Sequence, residues 1–192
     1  MAFSKLAFFP ITSEDDSGVP TYGSLTKLYD GELTNNISCE LTPTNVTRTR
    51  RADDVVSEEE KMQSYDMRLT VYGIDLTAFE TIIGYKKDGN NNIVIEPNKA
   101  KTKFGVFYET VDENNNKRQQ IYLSKVVAGN ILPSAATDEK GDPVSKEINF
   151  KGSLIRVNGV DKVGFIVDED NTGFIASGMP ETMYTEVELN NA

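Results

Sequence analysis

The chain has 192 residues and a mass of 21.3 kDa, and its 30 acidic and 20 basic side chains leave a formal net charge of −10. So acidic a surface repels a phosphate backbone, which disfavours general nucleic-acid binding through a basic face. Histidine is absent and Cys39 is the single cysteine, which excludes Ser-His-Asp and Cys-His catalysis, imidazole metal sites, disulfides within the chain and Cys-rich zinc clusters.

No run approaches the roughly 18 apolar residues of a membrane span. The apolar opening Leu6-Ala7-Phe8-Phe9 stops at Pro10 without a cleavage pattern, so no secretory leader is expected and a reducing cytoplasm is the expected setting. The length suits one domain, residues 1–192.

Most of the periodic signal is two-residue alternation. Residues 32–42 predict a half-buried strand with Leu33, Asn35, Ile37, Cys39 and Leu41 inward, which makes Cys39 a small hydrophobe. Residues 64–72 alternate more cleanly, with Tyr65, Met67, Leu69 and Val71 on one side. A helix is predicted over residues 75–83, capped by Asp75, stapled by Ile74 on Phe79 and closed at Gly84.

The second half predicts hairpins. Residues 103–111 and 117–127 flank a loop of turn formers, and residues 163–167 and 174–177 flank an acidic turn. Residues 147–158 predict one more strand, ending in the turn signal Asn158-Gly159. The expected fold is mainly β, an antiparallel sandwich or open barrel with one flanking helix.

Residues 43–63 stand apart as a long extended arm. About twenty residues between two strong strands is far beyond an ordinary connection. Its charges are segregated, with Arg48, Arg50 and Arg51 first and Asp53, Asp54, Glu58, Glu59 and Glu60 after them. This set is the candidate subunit contact, giving register and orientation through charge pairing.

Candidate chemistry elsewhere is thin. Asp168-x-Asp170-x-Thr172-Gly173 opens like an EF-hand loop, but its ninth and twelfth positions are Ala176 and Met179, so an acidic turn is expected. There is no phosphate-binding loop or dinucleotide fingerprint, and a two-carboxylate glycosidase lacks the tryptophans that line sugar sites. No catalytic, cofactor or metal residue is assigned, and a non-enzymatic role is expected.

The opening Leu6-Ala7-Phe8-Phe9-Pro10-Ile11-Thr12, the acidic turn after it and Pro20-Thr21-Tyr22-Gly23 resemble the start of the major tail proteins of long-tailed bacteriophages. The resemblance continues in order through Ala52-Asp53-Asp54, Gly73-Ile74-Asp75-Leu76, Phe104-Gly105-Val106-Phe107-Tyr108-Glu109, Gln120-Ile121-Tyr122-Leu123 and Glu147-Ile148-Asn149-Phe150-Lys151-Gly152. Residues 134–145 and the acidic stretch 181–188 depart from it. The resemblance implies a structural virion protein that polymerises as stacked hexameric rings into the tail tube. Its implied partners are further copies of itself, a tape-measure protein, tail terminator and tail-tip proteins, and DNA in transit without sequence-specific binding. It also implies no cofactor, assembly in the host cytoplasm and a final place in the virion tail. The alternative is a monomeric β-sandwich binding or accessory domain on a virion.

Overall fold

A computed structural model describes residues 3–16, 18–34, 37–52, 55–71, 86–90, 93–94, 101–111, 116–129 and 146–183. The helix expected over 75–83, the turn residues 112–115, the loop 134–145, and Asp53 and Asp54 lie outside them. Among the described residues there is no helix, and the architecture is antiparallel β.

The strands in chain order are β1 (Phe3–Glu14), β2 (Pro20–Tyr22), β3 (Thr26–Thr34), β4 (Ile37–Ala52), β5 (Val55–Val71), β6 (Lys86–Lys87), β7 (Ile93–Val94), β8 (Lys103–Val111), β9 (Arg118–Ala128), β10 (Lys146–Ser153), β11 (Ile155–Val157), β12 (Val160–Lys162) and β13 (Gly164–Asp168). The main sheet runs β2-β1-β8-β9-β10-β5-β4, with β3 also on β1 and β13 also on β9. The pairs β6–β7 and β11–β12 stand as small separate ribbons.

Alternation places the core. Tyr65, Met67, Leu69 and Val71 are buried on β5, while Asp66 and Arg68 between them are exposed. Ile148 and Phe150 of β10 and Phe104, Val106 and Tyr108 of β8 join them in one cluster with Phe3, Leu6 and Phe8 of β1. The rings of Phe8 and Phe150 stack at 5.5 Å. Their strands are three steps apart in the sheet, about 14 Å at ordinary spacing, so the sheet curls to bring them together.

β1, β8 and β9 bury their other face too. Ala7, Phe9, Phe107 and Tyr122 form a second cluster with Val167 and Met183, covered by Tyr22, Leu25, Phe165, Phe174 and Met179. An offset in β1 pairing shapes this arrangement. Phe3 opposes Thr110 while Lys5 opposes Glu109, so β1 carries one extra residue there. Phe3 and Leu6 therefore share the inner core although three positions separate them.

Several sequence expectations change. The strand expected over 32–42 is two strands, β3 and β4, and residues 35–36 between them are not described. Ile37 is buried and Cys39 packs partly against the core, but Leu41 is 39% exposed because it sits near the sheet's free margin. The strand over 147–158 breaks at Leu154 into β10 and β11. The turn at Asn158-Gly159 forms as expected, with φ of 50° and 80°, and joins β11 to β12. Residues 174–177 form no strand with β13, which pairs with β9 instead. β9 offers a free ladder edge there, whereas 174–177 carry apolar side chains that are better spent covering the sheet face.

Gly152 tests the packing. It opposes Tyr65 across β10 and β5, and a Cβ there would lie 2.1 Å from the Tyr65 ring. Gly152→Ala is expected to displace that buried ring and cost about 1–3 kcal/mol. Urea unfolding would show the lower midpoint at unchanged slope.

Candidate functional site

The arm is a β-ribbon. β4 and β5 pair from Ile37↔Val71 to Ala52↔Val55, so the segment expected as a connection is two strands turned back on each other. β10 supports β5 only from Ser64 to Val71. Beyond that point the ribbon extends about eight residues per strand, or about 27 Å at the usual rise. Its first exposed positions, Leu41 to Thr47, show solvent on both faces. A stretch wet on both sides carries no apolar alternation, which is why periodicity reads residues 43–47 as loop.

Register rearranges the candidate residues. Arg48 opposes Glu59, Thr49 opposes Glu58, Thr47 opposes Glu60, and Arg50 opposes Ser57. The charges segregated along the chain are thus brought side by side across the ribbon. β5 holds one extra residue at Gln63, because Thr44 opposes Ser64 while Asn45 opposes Met62. Beyond that bulge the backbone register runs on to Arg51↔Val56 and Ala52↔Val55.

Contacts at the base fix the ribbon's exit. Asn45 Nδ2 donates to Glu60 Oε1 at 2.8 Å, and Lys61 pairs with Asp161 of β12 at 2.7 Å. The lysine lowers the Asp161 pKa through its hydrogen bond and its charge. An open cleft of about 230 Å³ between Val46, Met62, Gln63 and Leu154 lies beside this ion pair.

A second polar site lies in the sheet itself, under the outer face. Glu109 of β8 is 1% exposed. It accepts from Ser4 Oγ at 2.7 Å, Lys5 Nζ at 2.8 Å and Gln120 Nε2 at 2.8 Å. Burial by itself would raise the Glu109 pKa, but the bonds from Lys5, Gln120 and Ser4 and the lysine's charge outweigh it and hold the carboxyl below 4.5. The bulge in β1 brings Ser4 and Lys5 together over this carboxylate. Sequence reading assigned none of these residues. The available signal was a lysine inside the apolar run of β1 and a glutamate inside that of β8.

The remaining candidates are committed to structure. Asp168, Glu169 and Asp170 engage Gln119, the Arg118 backbone and guanidinium, and Lys117 in turn. Among the described residues, no three Cys, Asp or Glu side chains are placed to share a metal ion. Burial pushes the Cys39 thiol up to about 12, against a hydrogen bond with Tyr108 that favours the thiolate. Such a thiol is a packing group rather than a nucleophile. No family model matches the chain, and no curated protein matches it.

The buried carboxylate has a definite pH signature. Its folded pKa is depressed, so its contribution is full above the unfolded value near 4.5 and is lost as pH falls through the folded value. Glu109→Gln is expected to flatten the loss of stability below that pH. At neutral pH the substitution leaves Lys5, 8% exposed, without its counter-ion, at a cost of about 3 kcal/mol. Denaturant midpoints measured across the acid range check both effects.

Proposed function

We propose that this chain is a structural, non-enzymatic subunit that polymerises as stacked hexameric rings into a bacteriophage tail tube, enclosing a tape-measure protein during assembly and later passing DNA. The observation that carries this reading is the β4–β5 ribbon. A two-stranded hairpin alone in water is marginal, and this one runs past the last strand of its own sheet that supports it. A ribbon of that length gains its missing contacts from a neighbouring copy in a head-to-tail arrangement, which builds rings and open stacks.

Three further features support the reading. The order of short motifs resembles the tail-tube family. The curled sheet fits an open barrel or sandwich, and among the described residues its margins β4 and β3 each pair with one strand only, which suits side-by-side packing between copies. The net charge of −10 keeps passing DNA from adhering. A helix over 75–83 would flank that sheet. The subunit then assembles in the host cytoplasm and ends in the virion tail, in contact with terminator and tail-tip proteins.

In this reading Arg48, Arg50, Arg51, Asp53, Asp54, Glu58, Glu59 and Glu60 set the register between copies. Their charges would meet charges of opposite sign on the neighbouring copy, giving register and orientation. Light scattering of the purified chain is expected to show mass growing with concentration, and negative-stain microscopy is expected to show rings or tubes. Replacing Arg48, Arg50 and Arg51 by glutamate is expected to stop tube growth while circular dichroism keeps its β signal. Normal polymerisation of that variant at physiological salt excludes the ribbon as the joint.

A further inference from the structure

Residues 117–120, at the start of β9, hold the last described stretch of chain in an unusual way. Lys117 pairs with Asp170, and Arg118 lies 4.9 Å over the ring of Phe174. Gln120 grips Ile175 at both ends of its amide, donating to the carbonyl at 2.8 Å and accepting from the backbone N–H at 3.0 Å. The same Gln120 Nε2 donates to Glu109, so the buried carboxylate fixes which way the amide points.

The ladder between β13 and β9 ends one step beyond Asp168, where Glu169 N–H donates to Arg118 O at 3.0 Å. Past it, among the described residues, no backbone-to-backbone hydrogen bond ties 174–183 to the sheet. These residues still bury apolar surface. Phe174, Met179 and Met183 lie on the cluster of Ala7, Phe9, Phe107 and Tyr122, with Met183 against Gly105.

We propose that residues 170–183 are a releasable strap, clasped to the start of β9 by side chains, whose release uncovers the Phe9, Phe107 and Tyr122 face while the sheet stays folded. The sheet keeps its ladders when the strap leaves, because none of them runs through it. The hinge is the turn from Asp168 to Phe174, exposed at residues 169–173 and closed by two backbone bonds, Asn171 N–H to Asp168 O and Phe174 N–H to Asn171 O. Lys117 and Asp170 are solvent-facing, so salt weakens that part of the clasp. The proposal stands apart from the tube reading and concerns the single subunit.

Limited chymotrypsin digestion with mass spectrometry tests it. In Arg118→Ala/Gln120→Ala protein, cleavage after Phe174 is expected to rise about tenfold or more, tracking the larger open population. The far-UV circular dichroism and the cooperative melt of the sheet are expected to persist. Unchanged cleavage overturns the clasp, and cleavage that rises only in step with loss of the sheet signal overturns independent release. Should that variant not fold, Lys117→Asp alone is expected to speed cleavage, and adding Asp170→Lys to restore resistance. If the exchanged pair gives no recovery, the clasp is refuted.

Discussion

Both faces of β1, β8 and β9 are buried, and most of the remaining structure answers that constraint. A sheet with one wet face needs a single core beneath it. Here the inner face gathers Phe8, Phe104, Phe150 and Tyr65, and curling the sheet brings strands three steps apart into ring contact. The outer face carries Phe9, Phe107 and Tyr122, and it is covered by side chains from the short strands β2 and β13 and from irregular chain. Tyr22, Leu25, Phe165 and the stretch through Met183 supply that cover.

Double burial also explains why a charged network lies inside. Pairing β1 with β8 through a bulge sets Ser4 and Lys5 against Glu109. An ion pair so enclosed contributes little net stability beyond a hydrophobic substitute, but removing one partner is costly. Its evident consequence is orientation. Glu109 fixes the amide of Gln120, and that amide fixes Ile175 and the path of the covering segment.

The ribbon follows the opposite logic. Where β4 and β5 leave the support of β10, Asn45 to Thr47, Glu60 and Lys61 are exposed and Met62 is half-buried, and the polar pair Asn45–Glu60 bridges the strands. The two ends of the molecule therefore differ in kind. One is a doubly covered sheet, and the other is a two-stranded ribbon that runs past the strand supporting it.

Composition and alternation by themselves determined a mainly β chain, the core face of β5, the β8–β9 hairpin and the Asn158-Gly159 turn. Each of these is encoded locally, by side chains two apart or by a residue type that tolerates positive φ. The charged residues of the arm were also visible, but not their arrangement. Which position of β4 lies opposite which position of β5 depends on strand register and on the bulge at Gln63, and neither leaves a trace in hydropathy where the pattern does not alternate. The same holds for Glu109 with Lys5 and for Gln120 with Ile175. These groups lie 104 and 55 positions apart in the chain, so only the pairing order of the sheet decides that they meet.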